Sequence, residues 1–552
     1  MSELSEVEAV ALPSLDAPAL AELAEFGTEV PIEAGTFLFR AGDEYYDFTV
    51  ILEGHIEIVR DGADASDPVA SHGIGRFLGE LHLLTGQRPY LSALVTESGR
   101  ILRISPAEFR RLMGSKPDLA DTIFRSFVAR HELLRAGDAA KAIQIIGSRY
   151  SPEFMALSAF ASRSHLVHST IDVETHPDVD DLLAAMNLGA DDMPVVLTQS
   201  KVLSRPSTGE FADLLGLTYR PIPDDSFDLV VVGTGPAGLA AAVYGASEGL
   251  STISLDAVAV GGQAGASSRI ENYMGFPNGI SGEGLTSNAA IQAQRLGAHL
   301  NAPCEVVGLD IEHGHTIVQL ADGTGIHCRT VIIASGARYQ RLPVDELERF
   351  EGAGVYYAAT ALEATSCRGR DVIVVGGGNS AGQAAIYLAQ TGSRVAIAIR
   401  GHELLHSMSR YLIERIEAHP QIDVLQRTEV RALSGVQHLE SVTLEETTTS
   451  TRRVVPCAGL FCFIGAEPAT AWLGDTVALD DAGFILTDRS LPESVIDGAA
   501  FVSRRPLPFE TSVPGVFAVG DVRQGSLKRV AAAVGEGSSA VRSVHDYLAS
   551  IG

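Results

Sequence analysis

Asp228-Leu-Val-Val-Val-Gly233-Thr-Gly235-Pro-Ala-Gly238-Leu-Ala-Ala-Ala242 is the stretch on which the reading of this chain turns. Leu229–Val232 is apolar and mostly β-branched, which predicts a buried strand. The glycines after it have separate tasks. Gly233 makes a tight turn, Gly235 lets the backbone approach a pyrophosphate, and Gly238 lets a helix pack closely on the strand. Pro236 and Ala237 open that helix, whose N-terminus stabilises phosphate charge. Ser251–Leu255 reads as the next strand and ends at Asp256, where a carboxylate can hold a ribose hydroxyl pair. Leu229–Ala246 is also the most apolar run of the chain. Its four glycines and one proline argue against a membrane helix.

The pattern recurs at Asp371-Val-Ile-Val-Val-Gly376-Gly-Gly378-Asn379-Ser380-Ala381. The strand predicted after it, Arg394–Ile399, runs into Arg400 instead of an acid. A carboxylate would repel a 2′-phosphate and an arginine can pair with it, which favours NADP over NAD; the other reading is a solvated surface arginine. Two such units predict two Rossmann-like folds, parallel sheets with helices on both faces. Near the C-terminus, Val516-Phe-Ala-Val-Gly520-Asp521 is an apolar strand ending in an aspartate placed for a ribitol or phosphate-side hydroxyl. Lys528, Arg529, Val530 and Ala531 lead into a small-residue helix, so the last segment is expected to return to the first nucleotide-binding domain.

Upstream the pattern changes. Leu38–Arg40, Phe48–Leu52, His55–Val59, Ser92–Thr96 and Arg100–Ile104 read as short strands with glycine turns, and Pro106–Arg135 as a long helix. A β-barrel or jelly roll is expected over 1–138. The next block, 139–222, reads as strand (Ile143–Ile146), helix (Pro152–Ser162), strand (His165–Asp172), helix (Asp178–Met186), strand (Pro194–Thr198) and a further strand and helix. A linker is predicted at 220–226. The fold class is therefore α/β with an N-terminal barrel module.

Composition agrees. The chain has 552 residues, 41 basic and 69 acidic, for a formal net charge of −28. General DNA binding is excluded, because phosphate neutralisation needs concentrated Lys and Arg. Five cysteines and an acidic N-terminus without a signal-peptide pattern point to a cytoplasmic protein without structural disulfides. No metal site and no membrane span are expected.

From about residue 225 the chain resembles the thioredoxin-reductase-type pyridine-nucleotide flavoproteins. The Gly233 unit, Gly261-Gly262-Gln263, Ile270-Glu-Asn272-Tyr-Met-Gly-Phe-Pro277, Ala334-Ser-Gly336, the Gly376 unit and Gly520-Asp521 carry the likeness. It implies an FAD-binding domain over 223–339 and 466–552 and an NADP-binding domain over 340–465. It further implies that Gly261, Gln263, Asn272 and Asp521 lie near the flavin. A homodimer is expected. The disulfide-reducing members carry Cys-Ala-Thr-Cys before the second unit, and this chain has Ala358-Ala-Thr-Ala361. Alanine has no nucleophile, so exchange chemistry is lost there.

The middle block resembles a thioredoxin or glutaredoxin, a likeness that implies a cis proline at Met193-Pro194. Its Cys-x-x-Cys position reads Ser151-Pro-Glu-Phe154. Residues 15–135 resemble the cyclic-nucleotide-binding domain through Gly35, Gly42-Asp43, Gly54 with Glu57, and Gly79-Glu80-Leu81 to Arg88-Pro89. In that cassette a glutamate, here Glu80, holds the ribose and an arginine pairs with the phosphate. The arginine position is Pro89 here, with Arg88 one residue early. Nucleotide binding and a purely packing or regulatory role both stay open.

The expected function is transfer of hydride from NADPH to FAD and of electrons onward to a small-molecule or protein acceptor: ferredoxin-like, quinone-like or a dithiol protein. The N-terminal module would regulate it through a cyclic nucleotide. The alternatives are a thioredoxin-disulfide reductase using other thiols, with Cys367 beside Arg368 the best candidate, and a flavin-bound sensor with conformational output.

Overall fold

The computed structural model describes residues 10–551 apart from 44–45, 61–66, 80–82, 84–87, 137–141, 165, 177–178, 180–182, 185, 187, 199–200, 220–225, 268, 313–314, 360, 405–407 and 502–503. The predicted linker, apart from Ser226, which begins a strand, and most of the predicted helix Asp178–Met186 lie outside the described residues.

Two long antiparallel strands, Phe48–Arg60 and Ser92–Ile104, form the centre of the N-terminal module. Each was expected as two short strands. Gly54 and Gly99 are bulge positions instead of turns: Gly54 has φ 97°, and a Cβ on Gly99 would lie 2.0 Å from the Glu53 carbonyl. Both signals are glycines, and sequence alone does not separate a bulge from a turn. Thr28–Ile32, Phe37–Phe39, Asp67–His72 and Phe77–Leu78 complete the sheet. The helix expected over Pro106–Arg135 breaks into Pro106–Ser115 and Pro117–Ala136. Lys116 precedes a proline and takes a non-helical conformation. Phe48, Phe77, Phe109 and Phe127 meet between sheet and helices, all fully buried.

The middle module has a four-stranded sheet in the order Val202–Ser204, Val195–Thr198, Ile143–Gly147, Ser169–Asp172. The last pair is parallel and the other two are antiparallel. Ser169 starts the strand expected from His165. Ser151 caps the helix Pro152–Arg163 by accepting from the Phe154 N–H. The Met193–Pro194 bond is cis.

In the third region Ser226–Val232, Thr252–Leu255, His299–Asn301 and Val516–Ala518 run parallel in one sheet with Gly325–Ile333; Val306–Glu312 and His315–Leu320 add an antiparallel edge. Val516–Ala518 joins it from the far end of the chain, pairing with Val331–Ile333. A second sheet is wholly parallel: Val355–Tyr356, Gly459–Cys462, Asp371–Val375, Arg394–Ala398 and Ile422–Leu425. The chain leaves the first sheet through Ala337–Tyr339 and returns through Ala466–Pro468, and these two segments pair antiparallel.

Candidate dinucleotide sites

At the first Gly-rich unit, Gly233 has φ 107° and its N–H donates to the Leu255 carbonyl at 2.6 Å. A Cβ on Gly233 would lie 2.3 Å from Ala334 O, and one on Gly238 would lie 1.8 Å from Gly233 O. Strand, turn and helix are therefore in backbone contact. Gly235 is the N-cap of the helix Pro236–Ser247 and offers no side chain to its free N–H groups. An added Cβ there would find nothing nearer than Gly262 Cα, at 3.9 Å. The helix end is thus open to an anion. Ala237, buried, lies under the C-terminal helix Val530–Ile551, where a Cβ on Gly537 would come within 2.1 Å of its carbonyl.

Asp256 does more for the protein than the sequence suggested. One oxygen accepts from the N–H and hydroxyl of Thr234 (2.9 and 2.8 Å), the other from the N–H groups of Val258 and Ala259 (3.0 and 3.2 Å). The strand-end acid is a tie between the turn and the following loop. Gly261 (φ 102°) and Gly262 (φ 54°) turn that loop back, and the Gly261 N–H donates to Thr234 O. Gln263 lies in the short helical turn Gly262–Gly265, and its Nε2 donates to Ala337 O.

Ala334 is buried at the end of its strand, Gly336 has φ 70°, and Ser335 between them donates to Ala469 O. Gly520 donates to Glu536, which also takes Arg523 (2.8 Å) and Ser526 (2.8 Å). Asp521 beside it is half-buried. Burial raises its pKa above the usual carboxylate value, with Lys528 opposing and Glu536 adding to the effect. The C-terminal helix begins at Val530, with Arg529 just before it and Ala531 in its first turn; Arg529 and Ala531 are exposed. Asn272 is exposed on the loop between Ile270 and Ile280. Its neighbour Glu271 pairs with Arg415 of the second nucleotide region at 2.6 Å.

The second unit repeats the turn. Gly376 has φ 135°, and a Cβ would meet Phe463 O at 2.2 Å. Gly378 caps the helix Asn379–Gln390, with no atom within 4 Å of an added Cβ. Asn379 accepts from the Ser409 N–H (2.7 Å), Ser380 is exposed and Ala381 is fully buried. The strand ends at Ala398, and Arg400 beyond it is exposed, with no ion pair among the described residues.

All five cysteines are buried and free. Burial pushes each thiol up to about 12. Cys367 is included: neighbouring Arg370 opposes the shift and does not overcome it. None has the thiolate character that exchange chemistry requires. Ala358 is half-buried, and Ala361 begins the helix Ala361–Ser366. Among the described residues there is no metal-ligating cluster and no helix long and apolar enough to cross a membrane.

In the N-terminal module, Gly79 (φ 144°) has its carbonyl held by Arg130 at 2.9 Å. Glu80 and Leu81 lie outside the described residues. Arg88 faces the middle module: its N–H donates to Leu215 O (2.9 Å), and its side chain lies against Gly216.

Sequence reasoning missed Glu536, Thr234 and Arg163. Thr234 sits inside the quoted Gly233 motif and Glu536 in the helix that follows Ala531, but only the folded backbone shows what they hold.

The sequence model for pyridine nucleotide-disulphide oxidoreductases matches residues 227–537, and that for cyclic nucleotide-binding domains matches 29–116. A thioredoxin reductase from Streptomyces clavuligerus is 31% identical over 328 residues, which cover 59% of this chain and 95% of that one. A "34.2 kDa protein in rubredoxin operon" from Clostridium pasteurianum is 29% identical over 325 residues, 59% of this chain and 98% of that one. The crystal structure of Lactococcus lactis thioredoxin reductase in its FR conformation aligns with a TM-score of 0.53 and 28% identity, covering 59% of this chain and 99% of that one. With its two glycine turns and its N-terminal β module, the chain belongs to the pyridine nucleotide-disulphide oxidoreductase family, as a thioredoxin-reductase-like, NADPH-dependent flavoprotein oxidoreductase that carries an N-terminal cyclic nucleotide-binding domain.

Proposed function

We propose that this oxidoreductase passes electrons from its flavin directly to an external acceptor, without an internal dithiol. The observation that carries this is the pairing of two open glycine-turn helix ends with five buried, high-pKa thiols and alanines at 358 and 361. When bound, the cofactors supply hydride transfer from nicotinamide to isoalloxazine.

The chain's part is binding and orientation. Gly233, Gly235, Pro236, Ala237 and Gly238 would cradle the FAD pyrophosphate, with Gly261, Gly262 and Gln263 on the facing loop. Ala334 and Gly336 would line the site, and Asn272 would approach from the loop above. Gly520 and Asp521, just after the last strand, and Arg529, Val530 and Ala531, at the start of the C-terminal helix, would close it. The half-buried Asp521 suits this part: its raised pKa reflects lost hydration, which a ligand hydroxyl would replace. Gly376, Gly378, Asn379, Ser380 and Ala381 would receive NADPH, with Arg400 on its 2′-phosphate.

The acceptor class is ferredoxin-like, quinone-like or a protein dithiol that docks directly. The domains run 1–138, 139–222, 223–339 with 466–552, and 340–465. The sheet order supports a thioredoxin-like reading of the second. The first would sense a nucleotide through Gly79, Glu80, Leu81 and Arg88, and the protein would work as a cytoplasmic homodimer.

The purified protein is expected to show the visible band of oxidised flavin and to lose it on anaerobic addition of NADPH. A colourless protein that takes up no FAD overturns the reading. Cys367→Ser is expected to leave NADPH turnover unchanged; loss of turnover in a folded variant would revive the thiol alternative.

A further inference from the structure

Arg163 is the last residue of the helix Pro152–Arg163, in the middle module. Its guanidinium crosses to the FAD-type region. There it donates to three backbone carbonyls: Ala259 (2.8 Å), Val260 (3.1 Å) and Gly262 (3.2 Å). It also feels the negative charge of Asp256, the tie between this loop and the Gly233 turn. Ala259 is itself fully buried in the middle module's core, beside Phe154, Leu157 and Phe160. The loop is thus held from one side by the middle module. On its other side Gly262 lies against Gly235, where an added Cβ would come within 2.7 Å of Gly235 Cα.

Peptide geometry gives this a consequence. In a trans peptide the C=O of one residue and the N–H of the next point in opposite directions. With the carbonyls of Val260 and Gly262 turned to Arg163, the N–H groups of Gly261 and Gln263 turn away from it. The Gly261 N–H is spent on Thr234 O, within the phosphate turn (3.0 Å). Charge-assisted bonds are the stronger class, and a desolvated guanidinium holds its acceptors firmly, since losing them leaves a poorly hydrated charge.

We propose that Arg163 is a positioning residue of the FAD site, through which the middle module fixes the Gly261-Gly262-Gln263 loop against the pyrophosphate-binding turn. The proposal rests on the FAD reading above. It assigns the Cys-less module a working part in cofactor retention.

The test is FAD titration of deflavinated full-length protein, followed by flavin fluorescence and the fine structure of the visible band. Arg163→Gln is expected to raise the Kd for FAD at least about tenfold and to blur the band. Arg163→Lys keeps the charge but reaches fewer carbonyls, so it should fall between the two. Equal FAD affinity and spectra in wild type and Arg163→Gln overturn the proposal, as does a variant that loses thermal stability with its Kd unchanged. If Arg163→Gln does not fold, Arg163→Lys decides, and wild-type affinity in it overturns the proposal. A wild-type protein that binds no FAD would instead overturn the reading on which this rests.

Discussion

At Gly238 an added Cβ would sit 1.8 Å from a carbonyl oxygen, whereas the matching position of the second unit is Ala381, which carries its Cβ in the core. The first helix is also pressed from behind, backbone to backbone, at Gly537. Behind the second helix, at Gly382, the neighbours are side chains: Met408 and Ile416. The strand ends differ as well. Asp256 is tied into its loop by four hydrogen bonds, and Arg400 stands exposed. Both turns are closed by backbone, at Gly233 and at Gly376, but the first helix packs backbone to backbone and the second on adjustable side chains.

Three substitutions probe this contrast. Gly238→Ala should have the largest effect, because backbone cannot retreat as a side chain can. A loss of about 3 kcal/mol in urea unfolding and an FAD-free protein are expected. An FAD-loaded variant of normal stability would erase the contrast. Arg400→Ala should raise the KM for NADPH about tenfold and leave that for NADH unchanged, as steady-state kinetics would show. Equal losses for both would remove Arg400 from the 2′-phosphate. Ala381→Gly is the smallest. It should cost about 1 kcal/mol of stability from helix entropy and keep both cofactors. A loss as large as that of Gly238→Ala would mean that the second unit is as tightly set as the first.

The glycine turns were legible because their chemistry is local: a positive φ and a close backbone approach are demands on one residue, and Gly233 and Gly376 meet them in both sequence and structure. The alternating third region was legible for a similar reason, through periodicity. Gly54 was misread because a glycine in a bulge and a glycine in a turn satisfy the same steric rule. Sequence reads Asp256 as a ribose partner, and it does not show that the same carboxylate accepts from Thr234, Val258 and Ala259. Arg163 carried no signal at all. Its acceptors are main-chain carbonyls some hundred positions away, and any residue supplies a carbonyl.

The pairing of Val516–Ala518 with Val331–Ile333 also bears on how the chain is made. Until residue 518 leaves the ribosome, Val331, Ile332 and Ile333 form a bare apolar sheet edge, of the kind that invites mispairing. Synthesis of residues 334–515 at ~5–20 residues per second keeps that edge open for roughly 10–40 s. The parallel sheet of 355–462 is contiguous and can form during that interval. In time, then, the site encoded first is finished last, and during synthesis this chain should lean on chaperones at that edge.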